Sequence, residues 1–211
     1  MFKAALFDLD GVVFNTEPQY SIFWGAMCRK YHPDQPGLEN RIKGQTLVQI
    51  FDVHFKDMPD AQADIVNGLN DYEGHMSYDY IEGFEPFIAA LRQQGVLTAL
   101  VTSSNVPKMQ SVYRAHPELE RCFDAILTSE HFRESKPSPD CYLQAARILG
   151  VNTDECVVFE DSFNGLRSGK AARMVVVGLS TTNAEETIAP LCDRVIPNFA
   201  GFDFYQCANL L

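Results

Sequence analysis

The sequence predicts an α/β protein, a parallel sheet covered by helices with a small helical bundle inserted after the first strand. Three observations carry this. Short apolar runs ending in polar clusters alternate with helical patterns through residues 82–211, as in a sheet built from strand–helix units. Residues 16–81 show helical spacing and no convincing strand. The first apolar run, Ala4-Ala5-Leu6-Phe7, leads straight into Asp8-Leu9-Asp10-Gly11. That run is short, unbroken and closed by a glycine turn, which suits a strand buried on both faces.

Taken in order, the elements follow from spacing and punctuation. Tyr20, Phe23, Trp24, Met27, Cys28 and Tyr31 recur at helical spacing over residues 18–31. Residues 47–55 repeat the pattern, and 60–80 form a more polar helical stretch. Pro33, Pro36, Gly37, Gly44 and Pro59 punctuate the joints. Phe84, Phe87, Ile88 and Leu91 make one helical face ended by Gly95. A strand over 96–101 ends in Thr102-Ser103-Ser104-Asn105, a helix occupies 106–115 and a short strand 125–127. Ser138 reads as a helix N-cap with Pro139 at the first helical position and Gly150 past the last turn. A strand over 156–159 ends in Glu160-Asp161 and is followed by a helix over 163–172. A strand over 174–177, a helix opened by Asn183, a weak strand at 195–196 and a helical terminus complete the chain. The predicted domains are a discontinuous Rossmann-like core, residues 1–14 and 82–211, and a helical cap, residues 15–81. The Gly-x-Gly-x-x-Gly loop of dinucleotide sites is missing.

Composition narrows the function. The 211 residues are 46% hydrophobic and 11% aromatic, enough for a full core. No stretch approaches the ~20 apolar residues of a membrane span, and the first residues resemble no signal peptide, so a cytosolic protein is expected. A net charge of −11 argues against nucleic acid or an anionic membrane as partner. Any anionic substrate then needs a local positive site. The six cysteines show no paired or zinc-type spacing and read as reduced thiols.

Four predicted strand ends carry polar groups along one edge of the sheet, where open α/β sheets bind ligands. They supply Asp8 and Asp10, then Thr102 and Ser103, then Lys136 from a loop, then Glu160 and Asp161. Each alone has a plain structural reading: a capped turn, a solvated lysine, an acid pair at a helix start. Together they suit phosphoryl transfer. Asp8 can attack phosphorus. Asp10 can protonate the leaving oxygen and then deprotonate water. Thr102, a following backbone N–H and Lys136 can hold phosphate oxygens. Asp8, Asp161 and a backbone carbonyl can hold Mg²⁺ through hard oxygen ligands, with Glu160 orienting a bound water.

These segments resemble the haloacid dehalogenase superfamily, in its β-phosphoglucomutase-like phosphatase branch with a helical cap. FDLDGVVFNTE is similar to the first family motif, LVTSS to the second, SKPSPDCY to the third and VVFEDSFNGLRSGKAA to the fourth. The resemblance implies Asp8 as nucleophile, Asp10 as acid/base, and Thr102, Ser103 and Lys136 around the phosphate. It implies Asp8, Asp10 through its carbonyl, Asp161 and Glu160 around Mg²⁺. It further implies a cap that closes over the substrate, with Glu17, Tyr20, Trp24, Lys43, Gly44 and Gln45 reading the leaving group. Glu82 stands where the family often has proline at the second hinge, and Asn15 where many members have aspartate.

Asp10 argues against a dehalogenase in the strict sense and against phosphonate hydrolysis, since those members lack it. A β-phosphoglucomutase shares Trp24 and the Lys43-Gly44 turn, but has a cap histidine where this chain has Tyr20 and a cap arginine where it has Leu47. Hydrolysis of a small phosphorylated metabolite by a monomer is the leading expectation. A hexose phosphate mutase is the alternative, and a silent binding protein on the same fold stands behind both.

Overall fold

The computed structural model describes residues 2–211. Six strands form one parallel sheet: β1 Ala4–Phe7, β2 Leu97–Val101, β3 Ala125–Leu127, β4 Cys156–Glu160, β5 Val175–Leu179 and β6 Arg194–Ile196. Their spatial order is β3-β2-β1-β4-β5-β6. The first strand is therefore central, with Ala4 opposite both Leu97 and Cys156. The strand order reverses between β1 and β4, which opens a crevice at their carboxyl ends. Asp8 and Glu160-Asp161 stand on its two sides.

Alternation along β1 sends side chains to opposite faces. Ala5 and Phe7 join an aromatic layer of Phe84, Phe87, Phe159, Phe199 and Phe202. Ala4 and Leu6 join a tighter layer of Ala99, Val101, Val158, Leu166 and Tyr142. Phe7 stacks on Phe159 at 4.7 Å between ring centroids. Helices α5 Phe84–Gln93, α6 Val106–Ala115, α7 Asp140–Leu149, α8 Phe163–Ala171, α9 Glu185–Ile188 and α10 Phe204–Ala208 accompany the strands.

Between β1 and α5 lie α1 Glu17–Tyr31, α2 Leu38–Arg41, α3 Leu47–Ile50 and α4 Pro59–His75. They gather a hydrophobic cluster of their own around Phe23, Trp24, Leu38, Ile42, Ile50, Phe55 and Ile65. This layer lies directly on the sheet edge. A Cβ built on Gly44 would stand 2.7 Å from Ser162, and Gln49 donates to the Lys136 carbonyl at 3.1 Å.

Several boundaries differ from the expectation. The helix expected over 60–80 ends at His75. The chain then runs beside the segment following β1, with Asn15 N–H donating to the Asp79 carbonyl and Ile81 N–H to Val13, and these bonds displace the helical ones. The 47–55 helix widens into a π-turn at Phe51–Phe55. Pro139, not Ser138, takes the N-cap position of α7, while the Ser138 carbonyl accepts from Ser168 Oγ at 2.6 Å. Asn183 does not open α9, because its side chain is drawn to the Asp161 carbonyl at 3.0 Å. Strand β5 extends to Leu179, where it still pairs with Ile196. All six cysteines are free thiols, and no helix among the described residues is long and apolar enough to cross a membrane.

Candidate active site

The groups at the strand ends converge on a cavity of about 590 Å³ between the sheet edge and the helical layer. Lys136 lies at its floor, 2% exposed. Its ammonium donates to Asp8 Oδ1 and Glu160 Oε1, each at 2.6 Å, and to the Val101 carbonyl at 3.0 Å. A buried ammonium requires such partners. Burial opposes its charge, but the two carboxylates outweigh it and raise the Lys136 pKa.

Asp8, Glu160 and Asp161 bring one carboxylate oxygen each to within 4.8 Å of one another. Burial, opposed by Lys136 and reinforced by Glu160 and Asp10, pushes the Asp8 carboxyl up to about 7. Burial, then the Glu17, Glu160 and Asp8 charges, push Asp161 well above the usual carboxylate range. Gly11 turns the chain here at φ 73°, and a Cβ there would collide with the Asp161 carboxylate. A hard divalent cation suits this donor set: the ligands are anionic oxygens, in excess of the one ammonium that offsets them.

Glu160 is committed on both oxygens. Oε1 accepts from Lys136 and from Tyr142 OH at 2.7 Å. Oε2 accepts from the backbone N–H of Asp161 and Ser162 and from Ser162 Oγ at 3.2–3.4 Å. Gly165 leaves the room this carboxylate fills. Thr102 is buried, and its Oγ1 accepts from Ser104 N–H at 3.0 Å, leaving the hydroxyl proton to donate. Ser103 lines the same cavity.

Asp10 is held at both oxygens. Thr16 Oγ1 donates to Oδ1 at 2.5 Å, and Ser104 Oγ to Oδ2 at 3.2 Å. Lys108 donates to Oδ2 as well. Lys108, Ser104, Thr16, Tyr142 and Thr182, which donates to Asp161, are the members the sequence reading missed. One signal was available for Lys108. It sits in the first turn of α6, capped by Asn105, where the helix dipole disfavours a cation.

On the cap side the structure brings Glu17, Tyr20, Trp24, Lys43, Gly44 and Gln45 to the cavity wall. Tyr20 OH donates to Glu73 Oε1 at 2.7 Å. Trp24 serves two surfaces, since it also packs edge-to-face on Phe23 within the helical cluster. Lys43 lies 3.9 Å from Glu17 Oε2, and that oxygen is buried with no hydrogen-bond donor among the described residues. Burial, then the Asp10 charge, push Glu17 up to about 7 against Lys43 and Lys108.

Known proteins are similar to this chain in sequence and in fold. A family model described as haloacid dehalogenase-like hydrolase matches residues 2–173. The validoxylamine A 7′-phosphate phosphatase of Streptomyces hygroscopicus subsp. limoneus is 28% identical over 90% of this chain and 91% of its own length. The bifunctional riboflavin kinase/FMN phosphatase of Arabidopsis thaliana is 29% identical over 90% of this chain, which spans only 54% of that protein. The crystal structure of a family IA, variant 3 HAD hydrolase from Entamoeba histolytica superposes with a TM-score of 0.86 at 23% identity, covering 99% of both chains. With the family model matching most of its length, the chain belongs to the haloacid dehalogenase-like hydrolases.

Proposed function

We propose that the protein is a Mg²⁺-dependent phosphatase that hydrolyses a small phosphate monoester, such as a sugar phosphate, through a phospho-aspartate on Asp8. The observation that carries this reading is the pairing of Lys136 with Asp8 Oδ1 beside Asp10 and Asp161 at one strand edge. The phosphatases among the relatives support the same chemistry.

The phosphoryl group enters between Lys136, Thr102 and Ser103. Asp8 attacks phosphorus, and the bond from phosphorus to the leaving oxygen breaks. Asp10 gives that oxygen its proton. Asp10 then takes a proton from water as the water oxygen attacks phosphorus, which frees Asp8 and inorganic phosphate. Asp8, Asp161 and the Asp10 carbonyl would hold Mg²⁺, which neutralises charge on the transferring phosphoryl oxygens. Glu160, filled by Lys136, Tyr142 and the start of α8, holds the lysine in place.

Residues 15–81 act as a cap that closes over the substrate and excludes water, with Lys43 and Gln45 at its rim. Hydrolysis is favoured over phosphate mutation because a mutase holds a second phosphate in its cap. Here Tyr20 is bonded to Glu73, Lys43 leans on Glu17, and Leu47 is apolar. The test is incubation with β-glucose 1-phosphate, a trace of the 1,6-bisphosphate and Mg²⁺, followed by phosphorus NMR. Inorganic phosphate is expected. Rapid glucose 6-phosphate with negligible inorganic phosphate would replace this reading with the mutase.

A further inference from the structure

Lys108 is the buried cation that the phosphoryl-transfer scheme leaves without a task. Its side chain is 4% exposed, and its ammonium pairs with Asp10 Oδ2. It stands 4.6 Å from the centre of the Tyr20 ring, contributed by the helical layer. A lysine in a surface helix ordinarily extends its ammonium into water. This one turns inward and lines the cavity, from a helix turn whose dipole opposes it.

We infer that Lys108 is a positioning residue for the acid/base Asp10, setting the direction in which its carboxyl meets the leaving oxygen. The inference rests on the phosphatase reading above. Asp10 lies beyond the end of β1, next to the Gly11 turn, and its single backbone bridge, to Phe14, does not fix its side chain. Thr16 holds one oxygen from the start of α1, and Ser104 from the β2–α6 loop and Lys108 from the first turn of α6 hold the other. Two points of attachment on different oxygens fix the carboxylate plane. Lys108 is the only charged one, and Tyr20 shields its ammonium from water. Charge-assisted bonds are the stronger ones, so Lys108 carries most of that constraint.

The test uses the difference between leaving groups. The ratio kcat/KM reports events up to departure of the first product. An alkoxide needs the Asp10 proton to depart, whereas 4-nitrophenolate departs without it. Lys108→Met is expected to lower kcat/KM for glucose 6-phosphate by ~10²-fold, the scale of a general acid, and for 4-nitrophenyl phosphate by about tenfold less. The loss should lie in kcat, and Lys108→Arg should restore most of it. If Lys108→Met fails to fold, Ser104→Ala removes a second donor to the same oxygen and should show the same leaving-group dependence at smaller size. Equal losses on both substrates, or a change confined to KM, would overturn the positioning role. A wild-type protein that hydrolyses neither ester overturns the phosphatase reading, and this inference with it.

Discussion

The two walls of the cavity are built differently. On the sheet edge the buried ionic groups are tied to neighbours from other segments: Lys136 to Asp8 and Glu160, Lys108 to Asp10, Thr182 to Asp161. On the helical wall Glu17 keeps a buried oxygen with no donor among the described residues, and its lysine stands 3.9 Å away. Groups that must meet one common phosphoryl centre are held before any ligand arrives, so reaction costs no reorganisation. Groups that meet a variable leaving group are left to find partners in the substrate.

The largest expected effect breaks the sheet-edge wall. Asp8→Asn should lower phosphate release on the order of 10⁴-fold or more, with a melting temperature near wild type because Lys136 keeps Glu160. Appreciable phosphate release by that variant would end the covalent scheme.

Metal removal comes next. Activity should disappear on exhaustive chelation and fall when Ca²⁺, which accepts more oxygen ligands, replaces Mg²⁺. The acidic cluster also sets a pH dependence. Asp8 is pushed up to about 7, and Asp161 is raised above the carboxylate range. Between the ordinary carboxylate range and about 7 the metal-free folded state therefore binds more protons than the unfolded chain. Its stability falls as pH rises through that window. Mg²⁺ favours the ionised carboxylates, so its stabilisation should be larger at about pH 8 than at about pH 5. Calorimetry with and without Mg²⁺ at both pH values checks this, and equal shifts would remove the cluster as the metal site.

The contact between the walls is sharpened by Gly44→Ala. At φ 72° and 2.7 Å from Ser162, a methyl strains the turn by about 1 kcal/mol and lifts the helical wall from the sheet edge. About tenfold lower kcat/KM is expected for a sugar phosphate, where closure governs the rate. Unchanged kinetics would mean that this contact plays no part in closure.

The smallest effect falls on the helical wall alone. Lys43→Ala should reduce kcat/KM for a sugar phosphate a few-fold more than for 4-nitrophenyl phosphate, since it faces the leaving group. Equal reductions would place Lys43 with the shared machinery.

The sheet wall was legible because strands impose a rule on sequence. An apolar run such as residues 156–159 marks the strand, and the residues that follow it fall on one edge whatever their neighbours are. Asp8, Asp10, Thr102 and Asp161 are thus placed together by the sequence alone, and Lys136 joins them from the loop after β3. The helical wall obeys a weaker rule. A helical pattern says which residues share a face, not what that face meets, so Tyr20 and Trp24 read equally as core or as site, and both serve the two surfaces.

By itself the sequence determined the parallel sheet, its order of strands and helices along the chain, and the carboxylate–lysine set at the strand ends, because local periodicity and turn residues encode these directly. Only the tertiary structure decided that Glu160 spends both oxygens on Lys136, Tyr142 and the α8 start, that the chain after His75 leaves the helix to pair with Val13, and that Lys108 turns inward to Asp10. Each of these depends on a partner between 18 and 98 residues away in the chain for its decisive bond. Such bonds form only once the layers have packed and excluded the water that would otherwise satisfy the same groups.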